Sequence, residues 1–221
     1  MKMYILVKPL AMLCCSIVLT GCTAMGPDPL EPVNRQLQAF NNGADKVLIK
    51  PLAMGYAAVM PNPGERAVQR FFSNLAEPNT AANQLLQGRP ALALNDAGRF
   101  LINSTVGLLG FFDVAQNMGL ARHSEDFGQT LGLWGMPTGP YIVFPFRGPT
   151  TLRDFAGGYA DTVASIPLTI ENVPTRNSLF ALQIVTLRAS LLNTPQPPAA
   201  SDRYALFRDF YLQRRQAQVQ Q

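Results

Sequence analysis

Phe127-Gly128-Gln129-Thr130-Leu131-Gly132-Leu133-Trp134-Gly135-Met136-Pro137-Thr138-Gly139-Pro140-Tyr141-Ile142-Val143-Phe144-Pro145-Phe146 is a run of twenty residues without a formal charge. Its length matches the ~20 residues that an α-helix needs to cross a hydrocarbon core. Its punctuation does not. Glycine at 128, 132, 135 and 139 and proline at 137, 140 and 145 exclude a continuous helix. Irregular backbone persists at membrane depth only where protein covers it or it lines a wet cavity. The stretch therefore reads as helix, turn and a short extended piece at Tyr141–Phe144.

Helical periodicity dominates on both sides of it. Val33, Leu37, Phe40, Ala44, Val47 and Leu48 recur at a helical spacing, with Asn, Gln and Asp opposite. Pro51 predicts a break or kink there, followed by a short helix over Leu52–Val59. Pro63 starts a helix faced by Ala67, Val68, Phe71, Phe72 and Leu75. Pro78 is read as opening another, closed by Gly88, and Pro90 the next, to about Ile102. Ser124 is placed as the N-cap of Glu125–Trp134. Thr150 or Thr151 caps a helix to about Ala164, Thr175–Leu192 forms another, Pro195, Pro197 and Pro198 interrupt, and a last helix starts at Ser201. The expected architecture is all-α with little or no strand, a set of short amphipathic helices lying in one membrane leaflet.

The N-terminus says how such a body would be held there. Lys2 and Lys8 precede an apolar run from Leu10 to Leu19, closed by Leu19-Thr20-Gly21-Cys22. This is the pattern of a lipoprotein signal peptide over residues 1–21, with Cys22 as the acylated residue and 22–31 as a short tether. Each buried methylene contributes about 0.8 kcal/mol, and two chains suffice for stable anchoring. Cys14 and Cys15 fall in the signal, so the mature body carries no cysteine beyond Cys22 and no disulfide. Thr23, not aspartate, follows Cys22, which by the bacterial sorting rule favours the outer membrane. Residues 32–215 are assigned to one helical domain and 216–221 to a frayed end.

Composition agrees. Hydrophobic residues make up 48% and charged residues only 14%, where about 25% charged is usual for soluble domains. Without Lys2 and Lys8, 16 basic residues face 14 acidic ones, too even a balance to point to nucleic acid. No P-loop, GxSxG elbow or dinucleotide fingerprint occurs. His123 is the lone histidine; a triad with Ser124 and Asp126 is disfavoured by their adjacency, and a helix entrance explains the same residues. One histidine and no further mature cysteine leave no metal site of the zinc type. Neither an enzyme nor a bound cofactor is expected.

A series of ordered segments then carries a resemblance. Asp28-Pro29-Leu30-Glu31-Pro32-Val33-Asn34-Arg35 comes first, followed by Phe40-Asn41-Asn42 and Lys50-Pro51. Next are Phe72-Ser73-Asn74-Leu75-Ala76-Glu77-Pro78, Asn83-Gln84-Leu85-Leu86-Gln87-Gly88 and Arg99-Phe100-Leu101-Ile102-Asn103-Ser104-Thr105. Gly110-Phe111-Phe112-Asp113-Val114-Ala115, Asp126-Phe127-Gly128-Gln129-Thr130-Leu131-Gly132, Gly139-Pro140-Tyr141 and Thr151-Leu152-Arg153-Asp154 complete the set. In this order they resemble the MlaA (VacJ) family of outer-membrane lipoproteins. The resemblance implies a ring-like helical protein in the inner leaflet of the outer membrane, with an amphipathic channel. It also implies removal of misplaced phospholipid from the outer leaflet, delivery to a soluble periplasmic carrier, and association with a trimeric porin.

A lipid channel needs polar side chains on otherwise apolar helices, because a charged head group loses several kcal/mol on leaving water. Asn83, Asp96, Arg99, Asn103, Arg153, Asp154 and Asp161 are the candidates for such a track. The alternative is that Arg99–Asp96 and Arg153–Asp154 are structural ion pairs. Gly107, Gly110, Phe111 and Phe112 are candidate gate or hinge positions, which equally suit tight helix contact. A scaffolding lipoprotein that moves no lipid is the competing function, and an envelope hydrolase the third.

Overall fold

The computed structural model describes residues 28–194 and 202–220. The signal segment, Cys22, the first part of the tether and the break at Pro195, Pro197 and Pro198 lie outside the described residues. Helix α1 (Glu31–Ala44) runs through a π-helical turn (Asp45–Ile49) directly into α2 (Lys50–Val59). Pro51 therefore does not break the chain. It sits in the first turn of α2, where its missing N–H is least costly, and the widened turn before it absorbs the ring. Arg188 clamps that turn from a distant helix, its Nε 2.7 Å from Asp45 Oδ1.

The longest element, α3 (Asn62–Leu86), also corrects the sequence reading: Pro78 lies inside it. An internal proline costs about 3 kcal/mol, yet Asn74, Glu77, Thr80 and Ala81 on both sides of it are buried, so packing carries the helix through. Gly88 ends it as expected, with the Arg89 and Gly88 amides donating back to Gln84 and Leu85. Three residues later α4 (Pro90–Thr105) returns along α3. A turn leads to the short α5 (Val114–Asn117) and a loop to α6 (Phe127–Leu133). The cap of α6 is Asp126, not Ser124; its Oδ1 accepts from the Gln129 amide at 2.9 Å.

The extended piece at Tyr141–Phe144 is β1, and the sequence missed its partner β2 (Gly148–Thr151), antiparallel with Tyr141 opposite Thr151. Thr151 caps α7 (Leu152–Val163), accepting from Asp154 N–H. A 3-10 turn (Ile166–Thr169) leads to α8 (Val173–Ser190), which packs on α2 and α3. Helix α9 (Arg203–Val219) packs on α6 and β2, and continues through residues 216–219 that the sequence assigns to a frayed end. Helices α6 and α7 cross so closely that a Cβ on Gly157 would meet Gly128 N at 2.3 Å. The expectation of a mostly helical protein with very little strand holds.

Two asparagines seven residues apart on α1 close the outer edge of β1. Asn34 donates to Tyr141 O at 3.0 Å and accepts from Val143 N–H at 2.9 Å. Asn41 does the same two turns on, with Phe144 O and Phe146 N–H, both at 2.8 Å. Each amide thereby stands in for a peptide unit of a third strand. Asp28, assigned to the tether by sequence, is buried beside them and accepts from the Tyr204 hydroxyl. Tyr141, Val143 and Tyr204 form a small apolar core with Leu37, Tyr211 and Leu212.

Elsewhere the usual distribution is inverted. The largest fully buried side chains are polar: Arg99, Gln84, Asn34, Thr130, Thr151, Thr186 and Asp96. Val59, Val47 and Leu94 are 82%, 79% and 74% exposed. Soluble monomers rarely expose apolar residues so extensively. Among the described residues no helix is long and apolar enough to cross a membrane.

Candidate functional site

The predicted polar positions fall into two clusters. In the first, Arg99 on α4 holds Glu77 of α3 with Nε–Oε1 at 3.0 Å, and Asp113 with Nη2 at 3.0 and 3.1 Å from its two oxygens. Its Nη1 donates to Leu120 O at 2.7 Å. Asn103 donates to Asp113 and accepts from Ala115 N–H, each at 3.0 Å. Asp96 does not pair with Arg99, three residues away. It lies 2.7 Å from His123 Nδ1, which leaves no Ser124–His123–Asp126 relay. These bonds fasten the whole 113–123 loop to α4. Burial pushes the Glu77 carboxyl up despite Arg99. Against burial, hydrogen bonds from Asn103 and Arg99 hold Asp113 below the usual carboxylate range.

The second cluster lies between α6, α7 and α9, and its centre, Arg215, was not among the candidate site residues read from sequence. Arg215 Nε is 2.9 Å from Asp154 Oδ2, and Nη1 is 2.7 Å from Asp126 Oδ2. Arg153 adds a 3.0 Å contact to Asp154 Oδ1, and the Tyr211 hydroxyl donates to Asp154 Oδ2 at 3.0 Å. Against burial, Arg215 keeps both Asp126 and Asp154 below their ordinary values. Asp161 beside them accepts from Asn83 at 3.1 Å and from Phe127 N–H at 2.8 Å. Burial nonetheless pushes its carboxyl up.

Three neighbouring cavities, each sharing wall residues with the next, start at this second cluster. A polar cleft of about 470 Å³ has Asp126, Asp154, Asp161, Tyr211 and Arg215 in its walls. Asp161 is also a wall of the next cavity, about 190 Å³, with Leu75, Asn79, Pro167 and Phe180. Phe72, Ala76 and Gln183 are shared between that cavity and a third of about 340 Å³, which ends at Arg122 and Ser190. Of the seven candidate track residues, Asp154 and Asp161 line these cavities. Asn83 and Arg153 brace them from behind, while Asp96, Arg99 and Asn103 belong to the other cluster.

The candidate gate residues sit in a tight turn. Leu108 and Leu109 have φ of 52° and 60°, a left-handed conformation that costs a side-chain-bearing residue roughly 1–2 kcal/mol. Gly110 donates to Asn103 O at 2.7 Å, and a Cβ on it would meet Asn74 Cβ at 2.4 Å. A Cβ on Gly107 would lie 2.3 Å from Phe112 O. Both glycines thus stand where backbone and side chain come too close for any other residue. Phe111 stacks on Phe71 at 5.2 Å, and Phe71 meets Phe72 edge-on at 5.3 Å, so the turn touches a cavity wall through two rings.

Two signals for these arrangements stood in the sequence: the seven-residue spacing of Asn34 and Asn41, and the arginine pair Arg214-Arg215 on the last helix, just before the residues assigned to a frayed end. Among the described residues no group of His, Cys, Asp and Glu could hold a metal ion.

Comparison with known proteins follows the same lines. The MlaA lipoprotein family model matches residues 26–218. The intermembrane phospholipid transport system lipoprotein MlaA of Escherichia coli is 35% identical over 208 residues, covering 89% of this chain and 82% of that protein. The Haemophilus influenzae protein of the same name is 33% identical over 217 residues, covering 92% and 87%. A solved structure, described as the structural basis for maintenance of bacterial outer membrane lipid asymmetry, superposes with a TM-score of 0.77 at 33% identity, covering 87% of this chain and 98% of its own. The chain belongs to the MlaA lipoprotein family.

Proposed function

We propose that this protein removes phospholipids misplaced in the outer leaflet of the outer membrane and passes them to a soluble periplasmic carrier. It lies in the inner leaflet as a ring-like helical body, fixed by acyl chains on Cys22 and associated with a trimeric porin. The observation that carries this reading is the row of neighbouring cavities, polar at the Arg215 end and more apolar next to it, in a body that exposes many large apolar side chains. A head group can stay solvated along the Asp161 side while its tails meet Leu75, Phe72 and Phe180. Lipid translocation of this kind needs no bond to be made or broken, so neither nucleophile nor cofactor enters. The names and the solved relative support the same role.

Ala76 is a small exposed residue on α3 in the wall of two cavities. Ala76→Trp puts a large ring between them, at a stability cost within about 0.5 kcal/mol because an exposed position displaces no packed neighbour. Transfer of fluorescent phospholipid from donor vesicles carrying the acylated protein to the carrier is expected to fall at least tenfold (roughly 1.4 kcal/mol in barrier terms). Transfer at the parent rate by the folded variant would favour the scaffolding role.

A further inference from the structure

The polar cleft holds three arginines in its wall, Arg147, Arg214 and Arg215, and they are not equivalent. Arg215 is spent on Asp126 and Asp154. Asp154 is further engaged by Arg153, and Asp161 accepts from Asn83 and Phe127 N–H. Every carboxylate of the cleft is therefore already bonded. Arg147 and Arg214 have no carboxylate within ion-pair distance among the described residues. Arg147 is nonetheless positioned. Its guanidinium lies 5.8 Å over the Phe155 ring, which is itself stacked on Phe144 at 4.1 Å. Its Nη2 occupies space beside Gly158 that a Cβ there would reach at 2.2 Å. Arg147 and Arg214 are both exposed side chains in the wall of one cleft, and planar guanidinium groups so placed suit an oxyanion that takes paired N–H donors.

We propose that Arg147 and Arg214 form a seat for a phosphate monoanion, the phosphodiester of a phospholipid head, at the entrance of the cavity string. This deepens the transfer reading and rests on it for the identity of the ligand. Free phosphate offers the same oxygens, but only a lipid also fills the apolar space beyond Asp161, walled by Leu75, Pro167 and Phe180.

The test uses the full chain in maltoside micelles and three probes: dihexanoyl phosphatidylglycerol, inorganic phosphate and octyl glucoside. R147Q/R214Q is expected to weaken phosphatidylglycerol binding about tenfold or more and to leave octyl glucoside binding unchanged. Inorganic phosphate is expected to bind the parent far more weakly than the lipid does. Gly158→Ala, a substitution that favours the helix while displacing Arg147, should weaken lipid binding a few-fold, which keeps the test open if the double variant does not fold. Unchanged lipid binding by the variants overturns the seat. Inorganic phosphate binding as tightly as lipid overturns its assignment to a head group. Transfer at the parent rate by R147Q/R214Q overturns the seat and spares the transfer function. Head-group binding by a parent that transfers no lipid does the reverse.

Discussion

The Arg99 and Arg215 clusters are built from the same parts, an arginine between two carboxylates with amide and hydroxyl support, yet they meet open space differently: Asp113 alone of the first reaches a cavity, while Asp126, Asp154 and Arg215 all wall the cleft. The Arg99 side chain is 2% exposed, its partners Glu77 and Asp113 3% and 17%. Arg215 is 10% exposed, and its partner Asp126 41%. The first cluster fastens one helix to another and to a loop. The second does similar holding work on one side while its other side walls the cleft. Buried charge by itself therefore says little about function; what matters is how much of it a cavity meets.

Breaking the more deeply buried cluster should have the larger effect. Arg99→Met strands Glu77 and Asp113 in the interior, and removal of one partner of a buried pair costs about 3–5 kcal/mol. Denaturant titration in detergent should register that loss; a change under 1 kcal/mol would mean that water reaches the cluster. Arg215→Met should cost less, about 2 kcal/mol, because Arg153 still neutralises Asp154 and Asp126 can turn to solvent. Its effect on lipid transfer should exceed its effect on stability.

Acid separates the clusters more finely. Asp126 and Asp154 are harder to protonate in the fold than in the unfolded chain. Their contribution is complete above about pH 4 and disappears as the pH falls through the lower folded values. Asp113 behaves likewise. Glu77, raised by burial, acts in the opposite sense: its contribution is complete below the unfolded value and fades as the pH climbs through the raised one. The two trends partly offset in the Arg99 cluster, and Asp161, pushed up by burial, acts in Glu77's sense beside Arg215. Between pH 5 and 3 the parent should therefore lose more stability than Arg215→Met does, with Asp154 contributing more than the exposed Asp126. Equal losses in a pH series of denaturation midpoints would place the acid-labile groups elsewhere.

Local rules were legible in the sequence wherever one residue decides a local geometry. Pro90 starts its helix, Gly88 ends one and Thr151 caps another, as their chemistry dictates. Pro78 misleads because its cost is local while the burial that outweighs it is tertiary. Arg99 was readable as a charge on an apolar helix, but its choice of Glu77, 22 residues away, over Asp96, three away, follows from how α3 lies on α4. Arg215 lay on the last helix but nothing local marks it as a site; its role depends on Asp126 and Asp154 being brought to it from two other elements. Asp161 reached the candidate list through spacing along α7, and its place between two cavities depends on α3 and the α6 start.

The clasp of Asn34 and Asn41 on β1 has a consequence for a chain made in water with leucines and valines on its outside. Copies awaiting their lipid will stick to one another, but the hairpin offers no open ledge on that side for another strand, and Pro149 withholds an amide from the opposite one. Such clumps grow by greasy side chains alone, so mild surfactant should dissolve them to single molecules instead of leaving cross-β fibres.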